Sequence, residues 1–284
     1  MNTYVTLDVF KGTGTLNITG TGDDTRLLSL LESAGRMVDR YCNRHFYVLE
    51  ATRKFDGAGT ASLLLPDLVS VDTSGLKTDD NKDRTFETTW ATTDYLLLPS
   101  NADPANAEDP GSRPYARIEV DTDAGTKAAW PAGRQTVQIA GQWGWWRHLK
   151  RASETANAVA DATTTSVVVS SRSDVEAGHT LLIDTEQLYL RSYSTNTLTV
   201  DRGVNGTTAA AHSGGAAIDI YEYPGPITEA VVIQAARLWK RRDAVFSSTA
   251  QNPETGRFGV ASGMDADVAL LLGQYRRVPL GVGV

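Results

Sequence analysis

Catalysis or tight ligand binding would need a nucleophile with its base, a metal-ligand set, a phosphate cradle or a paired acid and base. The four histidines, His45, His148, His179 and His212, are scattered along the chain. None has a second histidine or a carboxylate at metal-ligand spacing on a helix, so structural or surface roles are expected for all four. Cys42 stands alone, which excludes an intramolecular disulfide and a thiolate zinc cluster. Thr13-Gly14 and Ser33-Ala34-Gly35 lack the glycine spacing and lysine of a phosphate loop. A glycan-cleaving site needs two carboxylates about 5–9.5 Å apart. Asp94 and Glu119 are candidates only because acids are common in this chain. The expectation is no enzyme, no metal and no cofactor.

Binding residues are more conspicuous. Trp143-Gly144-Trp145-Trp146, with Trp130, is an unusual aromatic density. Turned outward, these rings would form a stacking platform for sugar or bases. Turned inward, they would form an aromatic lid where the β-rich middle meets the helices or the insertion, and burial of aromatic area favours this second reading. Lys240-Arg241-Arg242 and Arg276-Arg277 could touch a phosphate backbone or simply offset a helix dipole. The second pair leads into Val278-Pro279-Leu280-Gly281-Val282-Gly283-Val284, which is too short for a core element and too apolar for a comfortable free end. Such a tail either folds back on its own domain or inserts into a partner's groove. The partner is preferred, and with it an assembly component over a free enzyme.

These residues need elements to hold them. Over 24–43, Leu27, Leu30, Leu31, Ala34, Met37, Val38 and Tyr41 recur at helical spacing, with Gly22-Asp23 as the start. From Phe46 to about Trp146 the pattern becomes short apolar runs between turn clusters, at 62–66, 95–99, 116–120 and 136–140. The spacing leaves no room for helices between them, so a mainly antiparallel sheet is expected. Five further runs, at 165–169, 180–184, 187–193, 197–201 and 216–221, suit a small barrel or sandwich. Helix returns at Pro226, with Ile227, Ala230, Val231, Ala235, Leu238 and Trp239 on one face, and a short last helix begins near Asp265. Neither amphipathic helix can bury its face alone, so the two ends must meet.

Composition bounds the rest. A chain of 284 residues, 41% apolar and of net charge −7, is expected to fold as about two domains. That charge disfavours electrostatic clamping of nucleic acid. No apolar run approaches a membrane span, and the start carries no secretory-signal pattern. Residues 153–223 hold three Arg and nine acids, a net −6, which leaves −1 for everything else. With no Lys, Trp or Phe, this stretch reads as an inserted domain. The expected fold is α+β: a helical frame from the N- and C-terminal helices, a β-rich middle and an inserted small all-β domain. The expected boundaries are 1–152, 153–223 and 224–284.

The two ends carry a family resemblance. Tyr4-Val5-Thr6-Leu7, then Asp23-Asp24 before a helix running through Ser33-Ala34-Gly35-Arg36-Met37-Val38-Asp39-Arg40-Tyr41-Cys42-Asn43-Arg44-His45-Phe46, resembles the opening of tailed-phage head–tail adaptor (connector) proteins. Arg53-Lys54-Phe55-Asp56-Gly57, Leu63-Leu64-Leu65-Pro66-Asp67-Leu68 and Asp94-Tyr95-Leu96-Leu97-Leu98-Pro99 are similar to the middle of longer members. Ala235-Ala236-Arg237-Leu238-Trp239-Lys240-Arg241-Arg242-Asp243, the run Asp265 to Leu272, and Tyr275-Arg276-Arg277 are similar to the ending. The stretch Val200-Asp201-Arg202-Gly203-Val204-Asn205-Gly206-Thr207, continuing to His212, resembles a small β module found in assorted phage structural proteins.

The resemblance implies a ring of about a dozen copies under the portal, closed by heterologous contacts, which extends the DNA channel without reading sequence. It would present a lower surface to the next neck, stopper or tail protein. It implies helices 24–43 and 227–242 packing side by side around the ring through Leu27, Leu31, Met37, Tyr41, Val231, Leu238 and Trp239. It also implies a portal-docking tail of Tyr275, Arg276, Arg277, Val278, Pro279, Leu280, Val282 and Val284. The place would be the virion neck, after assembly in the host's reducing cytoplasm. The alternative is a virion-surface glycan-binding module or a tail or neck decoration protein, with the tryptophans stacking on sugar.

Overall fold

A computed structural model describes residues 2–106, 112–241, 249–252, 256–259 and 264–277. The chain divides into two compact units: Met1–Arg44, Leu149–Val204 and Thr208–Val284 form the first, and His45–His148 with Asn205–Thr207 form the second.

The first unit opens with α1 (Leu7–Lys11), where Thr6 at the N-cap accepts the Val9 N–H. Next comes α2 (Asp24–Cys42), which ends on Asn43 in the left-handed region, its N–H closing onto Asp39 and Arg40 carbonyls. Asp23 sits at the N-cap without a capping bond. The same unit later holds β7 (His148–Ala156), β8 (Ser166–Val168), β9 (Thr180–Ile183), β10 (Glu186–Ser194), β11 (Thr197–Asp201) and β12 (Ala216–Glu222). Then follow α3 (Gly225–Arg241), with Pro226 in its first turn, the hairpin β13 (Thr249–Asn252) and β14 (Gly256–Gly259), and α4 (Ala266–Leu272) capped by Asp265.

The six strands run in the order β7-β12-β9-β10-β11-β8. The sheet closes on itself through the Ala156–Val169 bridge, with the Asn157 N–H on the Val168 carbonyl (2.8 Å) and the Ser170 N–H on the Thr155 carbonyl (2.9 Å). Closure removes the open edges. Inside lie Val167, Leu181, Ile183, Leu188, Leu190 and Ile218 among others.

The second unit contains β1 (Leu49–Gly57), β2 (Ser62–Thr78), β3 (Thr88–Thr89), β4 (Tyr95–Leu98), β5 (Tyr115–Val120) and β6 (Gly133–Trp143). Their order is β1-β6-β2-β5-β4, with β3 on the far end of β2. Each strand pairs antiparallel with its neighbours. One apolar core spans this sheet, from Leu63 and Leu76 to Trp90, Trp130, Ile139 and Trp143.

The expected helical frame is therefore corrected. Among the described residues strand exceeds helix, 36% to 23%, with two six-stranded antiparallel sheets. The terminal helices do not make a frame to which a β domain is added. They belong to the same unit as the barrel, because the N-terminal segment is hydrogen-bonded into it. Thr3 Oγ1 donates to the Gly178 carbonyl (2.6 Å), the Leu7 N–H to that of Ala177 (2.8 Å), and Thr180 Oγ1 to Asn2 Oδ1 (3.0 Å). β7 also crosses the boundary expected at 152/153.

Candidate functional site

The side chains singled out for chemistry are held in structural bonds. Burial pushes the Cys42 thiol up to about 12, with Arg44 and Arg276 opposing, so no thiolate nucleophile is present near neutrality. Asp94 accepts the N–H of Thr126 (2.8 Å) and of Ala91 (2.9 Å), while Glu119 pairs with Arg117 at 3.2 Å. Asp79, Asp83 and Glu87, which the sequence did not single out, bring ligand oxygens within 4.8 Å of one another. Their oxygens already accept the backbone N–H groups that shape the loop, from Lys82, Arg84, Thr85 and Asp80.

Two clefts open in the first unit. One of about 540 Å³ is walled by α1, the loop after it and β10, and one of about 430 Å³ by Tyr4, Val9, His179, Tyr221 and Tyr223. In the larger, Lys11 is paired with Asp24 (2.5 Å), Glu176 with Arg172 (2.6 Å) and Arg191 with Asp201 (2.7 Å). In the smaller, His179 Nδ1 accepts the Glu176 N–H at 3.0 Å. Burial, helped by the Lys150 ammonium, lowers that imidazole to about 4. Its folded value thus lies below the ordinary 6.5. The unfolded chain binds the extra proton between those two values, so this contribution is complete above pH 6.5 and lost as pH falls toward 4. Its size is at most about 3 kcal/mol. His179→Gln should flatten the acid side of the stability–pH curve by that order in urea melts at pH 7.5 and 4.5. An unchanged curve would show that His179 does not set it.

A densely bonded buried carboxylate is held by the stretch from Arg202 to His212. Glu186, fully buried at the start of β10, takes the Arg202 guanidinium in a two-point contact, 2.7 Å from Nε and 2.7 Å from Nη2. It also accepts the N–H groups of Gly203 (2.8 Å) and Ala210 (3.0 Å), and His212 Nε2 lies 2.9 Å away. Asp184 faces the other His212 nitrogen at 2.8 Å. Burial alone would raise the Glu186 carboxyl, but Arg202, the two amides and His212 outweigh it and hold it at about 2. Arg202 also donates to the carbonyls of Thr164, Asp161 and Ala210. The motif from Arg202 to His212 is therefore a clamp on one carboxylate. Gly206 is required for its own reason: at φ +83°, a Cβ there would lie 2.0 Å from the Glu50 carbonyl oxygen.

The expected binding residues separate into two groups. Trp130, Trp143 and Trp145 are buried and Trp146 is half-buried. Trp130 stacks on Trp90 at 4.3 Å, and Trp143 donates its indole N–H to the Ala51 carbonyl (2.8 Å) beneath the Arg53 guanidinium. These rings build a core and leave no open stacking platform. Leu27, Leu31 and Val231 are fully buried and Trp239 nearly so; Met37, Tyr41 and Leu238 are half-buried. α2 packs on α3 and α3 on α4 within the single chain, so the fully buried residues are not available to a second copy. Tyr275, Arg276 and Arg277 lie against the end of α2: the Arg277 N–H donates to the Cys42 carbonyl (2.8 Å) and Arg276 sits over the Tyr41 ring. Val278, Pro279, Leu280, Val282 and Val284 lie outside the described residues, as does Arg242. No protein-family model, curated protein or solved structure matches this chain.

Proposed function

We propose that this protein is a structural head–tail adaptor of a tailed phage, whose copies form a ring under the portal. The ring extends the DNA channel and docks the next neck or tail protein. The observation that supports the reading is where the resembling segments fall in the fold. Those of the two chain ends, separated by about 180 residues of β structure, come together in one helical cluster. α2 packs on α3 and α3 on α4, the Tyr4 hydroxyl donates to Asp39 (2.6 Å), and the Arg277 N–H closes onto Cys42. The chemistry is that of a conduit. A chain of net charge −7 can surround duplex DNA without condensing on its phosphates, so the duplex slides. Head-to-tail contacts between identical copies generate a ring when the rotation closes.

Negative-stain images of the purified protein, alone and mixed with portal, test this. Annular particles of uniform diameter are the expected result. A persistent monomer under both conditions would overturn the adaptor reading.

A further inference from the structure

The barrel of the first unit has closed its edges, but the sheet of the second unit has not. It ends in β1 on one side and β4 on the other. Open edges invite strand addition, and proteins usually guard them with charge. β1 is guarded by Glu50, Arg53, Lys54 and Asp56. β4 reads Tyr95-Leu96-Leu97-Leu98 with no charge at all, and among the described residues no strand pairs with its outer side.

Its outer face is also apolar. Alternation puts Leu96 and Leu98 on one face, while Tyr95 and Leu97 pack toward the core. Across β5 the same face continues through Glu119 and Arg117 to Ser62 and Leu64. On that face Leu64 and Leu96 are 54% and 49% exposed, with the Glu119–Arg117 pair between their strands.

The chain carries a segment patterned to cover this face. Beyond Arg277 run Val278-Pro279-Leu280-Gly281-Val282-Gly283-Val284. At a period of two, Val278, Leu280, Val282 and Val284 share one face, and the other carries only proline and glycine. The seven residues extend about 23 Å, against about 13 Å for the four of β4. If Val278, Leu280 and Val282 bond to the edge, Pro279, which has no N–H, falls on the outward side where a strand needs no donor.

We infer that the Val278–Val284 tail of one copy adds as a strand to β4 of the next copy and lays its apolar face beside Leu96 and Leu98. This assignment rests on the ring reading and specifies its contact: one tail given and one edge filled per copy, a heterologous link.

Two variants and their mixture test it by light scattering after gel filtration. A chain ending at Arg277 keeps its β4 edge but has no tail. Leu96→Lys/Leu98→Lys changes one exposed and one half-buried side chain, keeps its tail and closes the edge; thermal melts check that both fold. The expected result is rings for the unmodified chain, monomers for each variant alone, and 1:1 dimers that grow no further when the two are mixed. Rings from the chain ending at Arg277 that fail to join portal-bearing heads would assign the tail to the portal, overturning this inference while the adaptor reading stands. Monomers in the mixture would also overturn it. A monomeric unmodified chain would remove the ring reading itself.

Discussion

Arg202→Ala destabilises the barrel of the first unit by about 3–5 kcal/mol, a large share of the 5–15 kcal/mol that holds a domain folded. Glu186 is wholly buried and the Arg202 side chain only 5% exposed. Removing the guanidinium leaves a buried carboxylate with two backbone amides and one imidazole as support. It also orphans the carbonyls of Thr164 and Ala210. The cost is that of an uncompensated charge, so Glu186→Leu/Arg202→Met should recover much of it. The acid response follows the same cluster. With its folded value held at about 2 against an ordinary 4.5, Glu186 contributes stability that is complete above pH 4.5 and lost as pH falls toward 2. Protection of the Leu181 and Leu190 amides from hydrogen exchange reads out the barrel directly, since five of the six tryptophans lie in the other unit. Wild-type protection in Arg202→Ala would refute the clamp.

That clamp shows what the sequence could and could not disclose. Periodicity placed α2 and α3 to within two residues, because an apolar stripe over four or more turns is a local signal. The short apolar runs within β4, β5 and β6 were visible too, but of β2 only 62–66 was, and the strand continues to Thr78. β1 and β7 were not, since Leu49–Gly57 and His148–Ala156 carry charges through their length and become strands by pairing with distant partners. The helical frame failed at the same level. Which unit a helix joins is settled by bonds such as Thr3 to Gly178, 175 residues apart, and no local pattern records them. Likewise, Arg202 and His212 were legible as a motif, but their meaning lay with Glu186, an acid like many others until the fold buried it. The tryptophans were legible as a cluster, with the inward direction favoured because aromatic rings bury large area.

That direction decides the second large effect. Trp143→Ala costs the second unit about 3–5 kcal/mol, the range for emptying an aromatic site that cannot collapse. Its ring is fully buried at the end of the central strand β6, paired with Leu49 on one side and Leu68 on the other. It packs 5.7 Å from Phe55, and its indole N–H holds the Ala51 carbonyl. Alanine therefore leaves a cavity, a carbonyl that has lost its indole donor and an Arg53 guanidinium without the ring beneath it. Trp146, half-buried beside His148 at 6.2 Å, should cost only about 1 kcal/mol when truncated. A stacking platform would reverse the pattern: both variants would stay folded, and loss of sugar binding would track the rings themselves. Urea melts followed by circular dichroism, with a glycan-binding assay on whichever variants remain folded, separate the two. A Trp143→Ala protein with an unshifted midpoint would show that the aromatic density belongs to a surface and not to the core that β6 carries.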